Sequence, residues 1–300
     1  MIISASRRTD IPAFYGEWFM QRIRAGFCEV ANPYNPTQKS TISLKSEDVD
    51  CVVFWTRFPV SLVEHLDELT QRGFNFYFLY TLLDYPKILD KYAPSFQKRL
   101  EMAKAISRKR GKKTLVWRYD PIVLSNITDV SFHIDRFSAI AQKLRGFTEK
   151  VIVSILDLYG KLKKNIVELE RQGVRIEGHE QIAGHLPQLL PALAASAQNN
   201  GMEIQSCAEK LDLVPCGILP GSCIDAAYIR EQFGVSVVKK KDPGQRIKCG
   251  CAVSKDIGAY NTCRFGCVYC YATTDLQRAG ENHEKHDPDS PVLLSDPKKP

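Results

Sequence analysis

The feature that most constrains the fold of this chain is a regular alternation of short apolar runs with longer amphipathic segments. The apolar runs are rich in β-branched and aromatic residues, as strands are, and lie at 1–6, 49–56, 74–83, 113–120, 150–157 and 202–208. Segments with the three- and four-residue spacing of helices lie at about 12–26, 60–72, 94–110, 129–145, 161–172 and 180–199. Nearly continuous apolar strands are typical of a parallel sheet that is covered on both faces. The pattern therefore predicts six repeating β-α units with right-handed crossovers.

Six successive units of this kind predict an α/β fold, a six-unit parallel (β/α) partial barrel of the TIM type. A doubly wound open sheet is the alternative, because the order of strands in a sheet cannot be derived from one sequence. Polar residues directly follow the strands and favour the barrel, for example Arg7, Arg8 and Asp10 after the first strand. Arg118 and Asp120 stand in the same place at the end of the fourth strand. In parallel α/β barrels these strand ends form one rim, where active sites gather.

The β-α rhythm ends near residue 208, and the rest of the chain has a different composition. We expect a barrel over residues 1–208, followed over 209–300 by a cysteine-rich, cluster-binding extension that packs on the barrel rim. The cysteines are unevenly distributed, since half of the ten lie between Cys249 and Cys270. This crowding predicts that the extension carries the chemistry of a metal site.

The compartment expected for the chain supports a metal site. We find neither a signal-peptide pattern nor an apolar run of the roughly 18–20 residues that a membrane-spanning helix needs. We therefore expect a cytoplasmic protein with no membrane partner. Disulfides are rare in that reducing compartment, so crowded cysteines favour metal ligation over cross-linking.

The segment YNTCRFGCVYCYA contains three cysteines at C-x3-C-x2-C spacing: Cys263, Cys267 and Cys270. Steps of four and three residues allow three sulfurs to converge on one centre. Thiolates hold iron–sulfur clusters, commonly one per iron, so three would leave one iron of a [4Fe-4S] cluster without a protein ligand. An open coordination position is what a metal site needs in order to bind a substrate. A zinc site with four cysteine ligands is the alternative, although the cysteine pairs here are irregularly spaced.

Four further candidate metal ligands precede this loop or lie near a strand end: Cys207, Cys223, Cys249 and Cys251. Together they could complete an auxiliary [4Fe-4S] cluster that transfers electrons or anchors a substrate. A zinc site and plain buried thiols are the alternatives for this set. The other three cysteines, Cys28, Cys51 and Cys216, are expected to be structural, since free cysteine is a common small core residue.

The cysteine loop resembles the cluster-binding loop of radical S-adenosylmethionine (radical SAM) enzymes, and its Tyr-Cys-Tyr-Ala ending is closest to the spore photoproduct lyase branch. Further motifs resemble the bacterial domain-of-unknown-function family 1848 over nearly the full length: ISASRRTDIPAFY, NPYNP, FWTRFP, WRYDPI, GSCID and CGCAVSKDIGAYNTC. The biochemical role of that family is undefined. The resemblance therefore implies a cofactor and leaves the substrate open.

The radical SAM resemblance implies that Cys263, Cys267 and Cys270 bind three irons and that SAM chelates the fourth. An electron from a donor such as flavodoxin or ferredoxin would cleave SAM reductively to methionine and a 5'-deoxyadenosyl radical, which abstracts hydrogen from an unknown substrate. The cofactor supplies this chemistry, while the protein positions it. Tyr269 is expected to pack near the adenine, with a space-filling tyrosine as the alternative.

Two departures from the radical SAM pattern stand out. In the standard barrel the cysteine loop follows the first strand, whereas here it follows all six, so we expect the extension to fold back over the rim near Ser4–Asp10. A Gly-Gly-Glu-like run for the methionine end of SAM is also missing. Arg7, Arg8 and Asp10 are the expected substitutes, since a carboxylate needs a cation and an ammonium group an anion. Structural ion pairing is the alternative for these three residues.

The resulting hypothesis is a radical SAM enzyme in which Arg118 and Asp120 act on the substrate as acid–base or anion-binding groups. A salt bridge between them is the alternative. A second hypothesis is a non-catalytic zinc or iron–sulfur protein associated with nucleic acid, for which the net charge of +7 and the basic run 108–113 would supply phosphate contacts. A third is a metal-independent barrel enzyme that uses the same arginine and aspartate. Nucleic acid, a small metabolite and a peptide all remain candidate substrates of the first.

Overall fold

The computed structural model describes residues 1–209, 211–238 and 240–294, without the side chain of Pro36. The last six residues of the predicted extension, 295–300, lie outside the described part. Ten strands are present within it: β1 (Ile2–Ala5), β2 (Phe27–Asn32), β3 (Asn35–Ser43), β4 (Cys51–Thr56), β5 (Phe76–Thr81), β6 (Leu115–Ile122), β7 (Lys150–Ile155), β8 (Glu203–Cys207), β9 (Leu219–Gly221) and β10 (Lys255–Asp256). Each of the six predicted strands coincides with one of these.

Nine α-helices accompany the strands in the described residues: α1 (Ile11–Phe14), α2 (Gly16–Ala25), α3 (Leu66–Gln71), α4 (Phe96–Arg110), α5 (Val130–Leu144), α6 (Lys163–Arg171), α7 (His179–Asn199), α8 (Ala226–Phe233) and α9 (Leu276–Glu284). Local capping explains where several begin. The Asp129 carboxylate accepts a 2.8 Å hydrogen bond from the Phe132 amide at the start of α5 and satisfies a donor that has no partner within the helix. None of the described helices combines the length and apolar character needed to span a bilayer.

Eight of the strands form one parallel sheet in the order β10-β1-β4-β5-β6-β7-β8-β9. The α/β fold with a central parallel sheet is thus confirmed. Within the described residues no backbone pairing joins the two edge strands, β10 and β9, and the barrel form stays a prediction. Both edge strands come from the residues after 208, so the predicted extension shares its sheet with the predicted barrel.

The two faces of the sheet are covered by different parts of the chain. Alternate residues of β4 point to opposite faces, as in any strand, so that Phe54 joins one apolar cluster and Val53 the other. Helices α1 to α7 contribute their buried apolar residues to the first cluster. The second cluster contains Ile229 of α8 and three cysteines of the extension instead, Cys223, Cys249 and Cys251. This one-sided covering by the β-α helices is typical of barrel-type sheets.

A two-stranded antiparallel hairpin, β2–β3, stands apart from the main sheet and was not predicted from the sequence. The end of the described chain packs beside it, since the Glu29 amide donates to the Pro291 carbonyl at 2.8 Å. The Trp18 indole of α2 likewise donates to the Ser290 carbonyl at 2.9 Å. These contacts hold the residues after α9 against the body of the protein.

Candidate functional site

A cavity of about 840 Å³ lies at the carboxyl ends of the parallel strands. It is lined by all thirteen residues for which the sequence predicted a role: Arg7, Arg8, Asp10, Arg118, Asp120, Cys207, Cys223, Cys249, Cys251, Cys263, Cys267, Tyr269 and Cys270. Residues from both ends of the chain therefore meet at one site. The contacts of each residue within the cavity are described below, starting with the cysteine loop.

The cysteine loop, residues 260–272, directly follows β10, which pairs with β1 through Ile3–Lys255 and Ser4–Asp256. Thr9 binds the residue that immediately precedes the loop, since its hydroxyl donates to the Ala259 carbonyl at 2.8 Å and accepts from the Ala259 amide at 2.9 Å. A Cβ atom on Gly258 would lie 2.0 Å from the Ser6 hydroxyl, so only glycine permits this close approach. The loop thus lies over the residues that follow the first strand.

The segment that follows Pro86 holds the other side of the cysteine loop. The Val268 amide donates to the Leu89 carbonyl at 3.1 Å, and the Tyr92 amide donates to the Phe265 carbonyl at 2.9 Å. Gly266 has φ +66°, a left-handed conformation that glycine adopts without a steric cost. The loop is therefore fixed on one side by the Thr9 hydroxyl and on the other by backbone hydrogen bonds.

Arg57, at the end of β4, connects the loop to a buried carboxylate that the sequence analysis missed. Its guanidinium forms a two-pronged ion pair with Asp90 and donates to the Cys267 sulfur at 2.6 Å and the Tyr269 hydroxyl at 2.9 Å. The Tyr269 hydroxyl in turn donates to Asp90. Burial opposes charge on Arg57, but Asp90 raises the pKa of this guanidinium well above its ordinary value. The sequence signals for Arg57 were its place directly after a strand and its position in the FWTRFP motif, and Asp90 had none.

Two of the loop thiols, Cys263 and Cys267, lie in a desolvated environment. Burial raises the pKa of Cys267 to about 12, with Arg57 acting in the opposite direction, and burial also raises the pKa of Cys263 well above its ordinary value. Free thiols at Cys263 and Cys267 would therefore be protonated at neutral pH. A bound metal releases such protons, because the thiolate is the ligand.

A second set, here called the four-cysteine group, comprises Cys207, Cys223, Cys249 and Cys251. The sulfurs of Cys207 and Cys223 are 3.3 Å apart, and the Ile224 amide donates to the Cys251 sulfur at 3.3 Å. A hydrogen bond from Cys223 lowers the pKa of Cys207, and hydrogen bonds from Cys223 and Cys249 lower that of Cys251. The four thiols therefore form one connected set.

Three arginines surround the four-cysteine group. The charge of Arg7 contributes to lowering the pKa of Cys251, while Arg118 and Arg246 lower the pKa of Cys207 by their charge. Positive side chains of this kind stabilise thiolates and the negative centres that thiolates hold. In the described part of the chain, however, no group of three or more His, Cys, Asp or Glu side chains is arranged to hold a metal ion.

Arg7, Arg8 and Asp10 each have a partner within the protein. The Asp10 carboxylate accepts from the Ala13 amide at 3.0 Å and from the Arg57 amide at 2.7 Å, and burial raises its pKa to about 7. Arg8 donates from Nε to Asp256 at 3.1 Å. The guanidinium of Arg7 lies by Cys251, so its contacts tie it to the four-cysteine group. Structural ion pairing, the alternative weighed for these residues, is present for Arg7 with Asp242 and for Arg8 with Asp256, whereas Asp10 is held by backbone amides.

Arg118 and Asp120 form a direct ion pair, and Asp120 also accepts a hydrogen bond from Ser154. The guanidinium of Arg118 lies 4.7 Å from the centre of the Trp55 ring, a distance at which the cation and the aromatic face attract each other. Its Nε atom is buried without a hydrogen-bond partner among the described residues. The salt bridge given above as the alternative for these two residues is therefore present. The Nε–H of Arg118 is left without an acceptor beside the cavity, among the described residues.

The chain matches the family model described as "Domain of unknown function (DUF1848)" over residues 2–272. It belongs to the DUF1848 family. The matched segment of this DUF1848 chain contains the whole parallel sheet, both sets of cysteines and every predicted lining residue of the cavity. No curated protein and no solved structure matches the chain.

Proposed function

We propose that this DUF1848 protein is a radical SAM enzyme, in which Cys263, Cys267 and Cys270 hold a [4Fe-4S] cluster that has one iron open to SAM. One observation carries the proposal: the cysteine loop directly follows an edge strand of the parallel sheet and lies at the carboxyl-end cavity. In radical SAM barrels the loop follows the first strand. Here β10 takes the edge position beside β1, so the late place of the loop in the chain is compatible with the usual place in space.

The size and lining of the cavity support a cofactor with a substrate beside it. Ligand pockets commonly measure about 300–1,000 Å³, and at about 840 Å³ this cavity stands near the upper end of that range. Polar side chains converge on it from the ends of several strands. This is the arrangement in which α/β barrels place catalytic groups.

The roles of the chain's residues follow from their positions. The three loop thiolates would bind iron, and Tyr269, held by Arg57 and Asp90, would form a fixed wall beside the cluster. Bound cluster and SAM would together supply a 5'-deoxyadenosyl radical for hydrogen abstraction. Arg118 and Asp120 lie at the same cavity and would orient the substrate or move a proton on it.

The methionine end of SAM needs a cation for its carboxylate and an anion for its amino group. Asp10 is engaged by two backbone amides, and Arg7 faces the four-cysteine group. Arg8 lies over the Tyr260 ring at 5.6 Å and so stands beside the cysteine loop. Among the three candidates, Arg8 therefore has the contacts that best suit the SAM carboxylate.

For the four-cysteine group we propose an auxiliary [4Fe-4S] cluster. Four thiolates would give each iron a protein ligand and leave no position open, which suits electron transfer. The surrounding Arg7, Arg118 and Arg246 would balance its negative charge. The described residues contain no side-chain arrangement suited to a single metal ion. Because a cluster spreads its ligands, with one thiolate per iron, this weighs against zinc more than against a cluster.

Anaerobic purification with iron, sulfide and zinc analysis tests the proposal. We expect brown protein with about four or more irons per chain and acid-labile sulfide. Reductive cleavage of SAM to 5'-deoxyadenosine should be lost in Cys267→Ala and kept in the control Cys216→Ala, which lies outside the cavity. A colourless zinc protein, or undiminished 5'-deoxyadenosine from Cys267→Ala, would refute it.

The nucleic-acid-associated alternative receives less support from the surface charge. Within the basic run 108–113, Lys109 pairs with Asp67 at 2.6 Å and Lys112 pairs with Glu149. Exposed pairs of this kind are weak, but they reduce the positive charge that the run presents to phosphates.

A further inference from the structure

The hydrogen bond between Arg57 and Cys267 lies beside an ion pair that is shielded from water. The Arg57 side chain is 9% exposed and that of Asp90 is 2% exposed, so the ion pair is shielded from water. One guanidinium nitrogen, Nη1, contacts Asp90 at 2.8 Å and the Cys267 sulfur at 2.6 Å. The positive end of the pair is thereby turned toward the loop sulfur.

Two contacts fix the position of this guanidinium. The backbone amide of Arg57 donates to Asp10 at 2.7 Å, which holds the end of β4 against the residues after β1. Asp90 is attached to the loop itself, because its backbone forms an antiparallel bridge with Cys267. The donor therefore cannot turn away from the sulfur without breaking the buried ion pair.

A fixed donor at a ligand sulfur alters how readily the attached metal centre accepts an electron. Hydrogen bonds to the sulfurs, net charge and solvent exposure set the reduction potentials of iron–sulfur clusters. An added electron makes such a centre more negative, and a nearby N–H dipole or positive charge stabilises that state most where water is excluded. Arg57 satisfies these conditions, and Asp90 partly offsets its charge.

We infer that Arg57 is a positioning residue that raises the reduction potential of the cluster at the cysteine loop, with Asp90 limiting the size of this effect. The inference rests on the proposed function, since it needs a cluster bound by Cys267. It assigns the pair a role that goes beyond holding the loop in place. The pair would determine which class of low-potential electron donor can reduce the enzyme.

Redox titration of the reconstituted protein, followed by electron paramagnetic resonance, tests the inference without measuring turnover. We expect Arg57→Gln to shift the midpoint potential of the loop cluster to more negative values, and Arg57→Lys to restore part of the shift because it keeps the charge. Asp90→Asn should shift it the opposite way, since it removes the charge that offsets Arg57. The matched control is Arg136→Gln, whose guanidinium is half exposed and pairs with Asp84.

Every outcome of this titration either supports or contradicts the inference about Arg57. Unchanged potentials in cluster-loaded variants, or shifts of the same sign for Arg57→Gln and Asp90→Asn, would overturn the inference while leaving the proposed function intact. If Arg57→Gln fails to retain iron, the sign of the Asp90→Asn shift relative to wild type decides instead. A wild-type protein that binds no cluster at all overturns both proposals together.

Discussion

The hydroxyls of Thr9 and Thr262 lie 2.7 Å apart although 253 positions separate the two residues in the chain. Thr9 follows the first strand, and Thr262 directly precedes the first cysteine of the loop. This buried contact joins the two ends of the chain at the rim of the sheet. The cysteine loop is thus brought to the cavity by contacts with residues that follow β1.

Replacing Thr9 with valine should weaken this junction. The Thr9 hydroxyl also bonds to the backbone of Ala259, so valine would leave the half-buried Ala259 amide without this partner, whereas the Thr262 hydroxyl keeps its bond to the Ala259 carbonyl. We expect a loss of about 1–3 kcal/mol in the free energy of unfolding, measured by urea denaturation. Iron retention should fall as well. The control Thr70→Val removes one hydroxyl bond within α3 and should leave the iron content unchanged.

Gly258→Ala should displace the cysteine loop by steric conflict alone. The new methyl group would lie 2.0 Å from the Ser6 hydroxyl and 2.7 Å from that of Thr9. Forced overpacking of this kind costs typically about 1–3 kcal/mol, so we expect a lower thermal midpoint and less iron per chain. Gly280→Ala in α9 meets no atom within 4 Å and should be neutral or slightly stabilising. Equal stability of the two variants would contradict the packing described for Gly258.

The variant Cys223→Ala tests the four-cysteine group independently of the cysteine loop. Cys223 contacts both Cys207 and Cys251, so its loss should release the auxiliary cluster. Iron should fall from about eight to about four per chain, because each [4Fe-4S] cluster holds four irons. The change in the electron paramagnetic resonance spectrum that we expect when SAM binds the proposed loop cluster should persist. Iron content equal to that of wild type would show that the four-cysteine group binds no cluster.

Because His133 is buried, we expect the protein to lose stability at acidic pH. The ring is fully buried between the Tyr119 hydroxyl and the Val123 carbonyl, and burial lowers its pKa from 6.5 to about 4. Between these values the unfolded chain binds a proton that the folded protein does not. The contribution of the neutral histidine to the free energy of unfolding is therefore fully present above pH 6.5. It is lost as the pH drops toward 4, by up to about 3 kcal/mol.

Thermal unfolding followed by circular dichroism at pH 7 and pH 5 measures this effect. His133→Gln should show a smaller difference between the two pH values than wild type, although it is less stable at both. The exposed His179 at the start of α7 offers the matched control, and His179→Gln should behave as wild type does. An unaltered pH difference in His133→Gln would assign the acid sensitivity to other groups.

Much of the candidate site was predictable because its residues stand in local patterns. Cys263, Cys267 and Cys270 are close in the chain, and polar residues such as Arg7 directly follow apolar strands. The Arg57–Asp90 pair was missed because 33 positions separate its members and neither belongs to a metal-binding or catalytic spacing. A contact between distant residues leaves no local pattern from which it can be predicted.

The sequence by itself determined the β-α order, since burial on the sheet requires apolar strands and amphipathic helices in that alternation. It also determined which residues could bind metal, because thiol chemistry depends on residue type and on short spacings. The tertiary structure alone decided that β10 completes the edge of the sheet beside β1 and that both sets of cysteines face one cavity. The physical reason is that strand pairing and burial join residues that lie far apart in the chain, and their free energy depends on the whole fold.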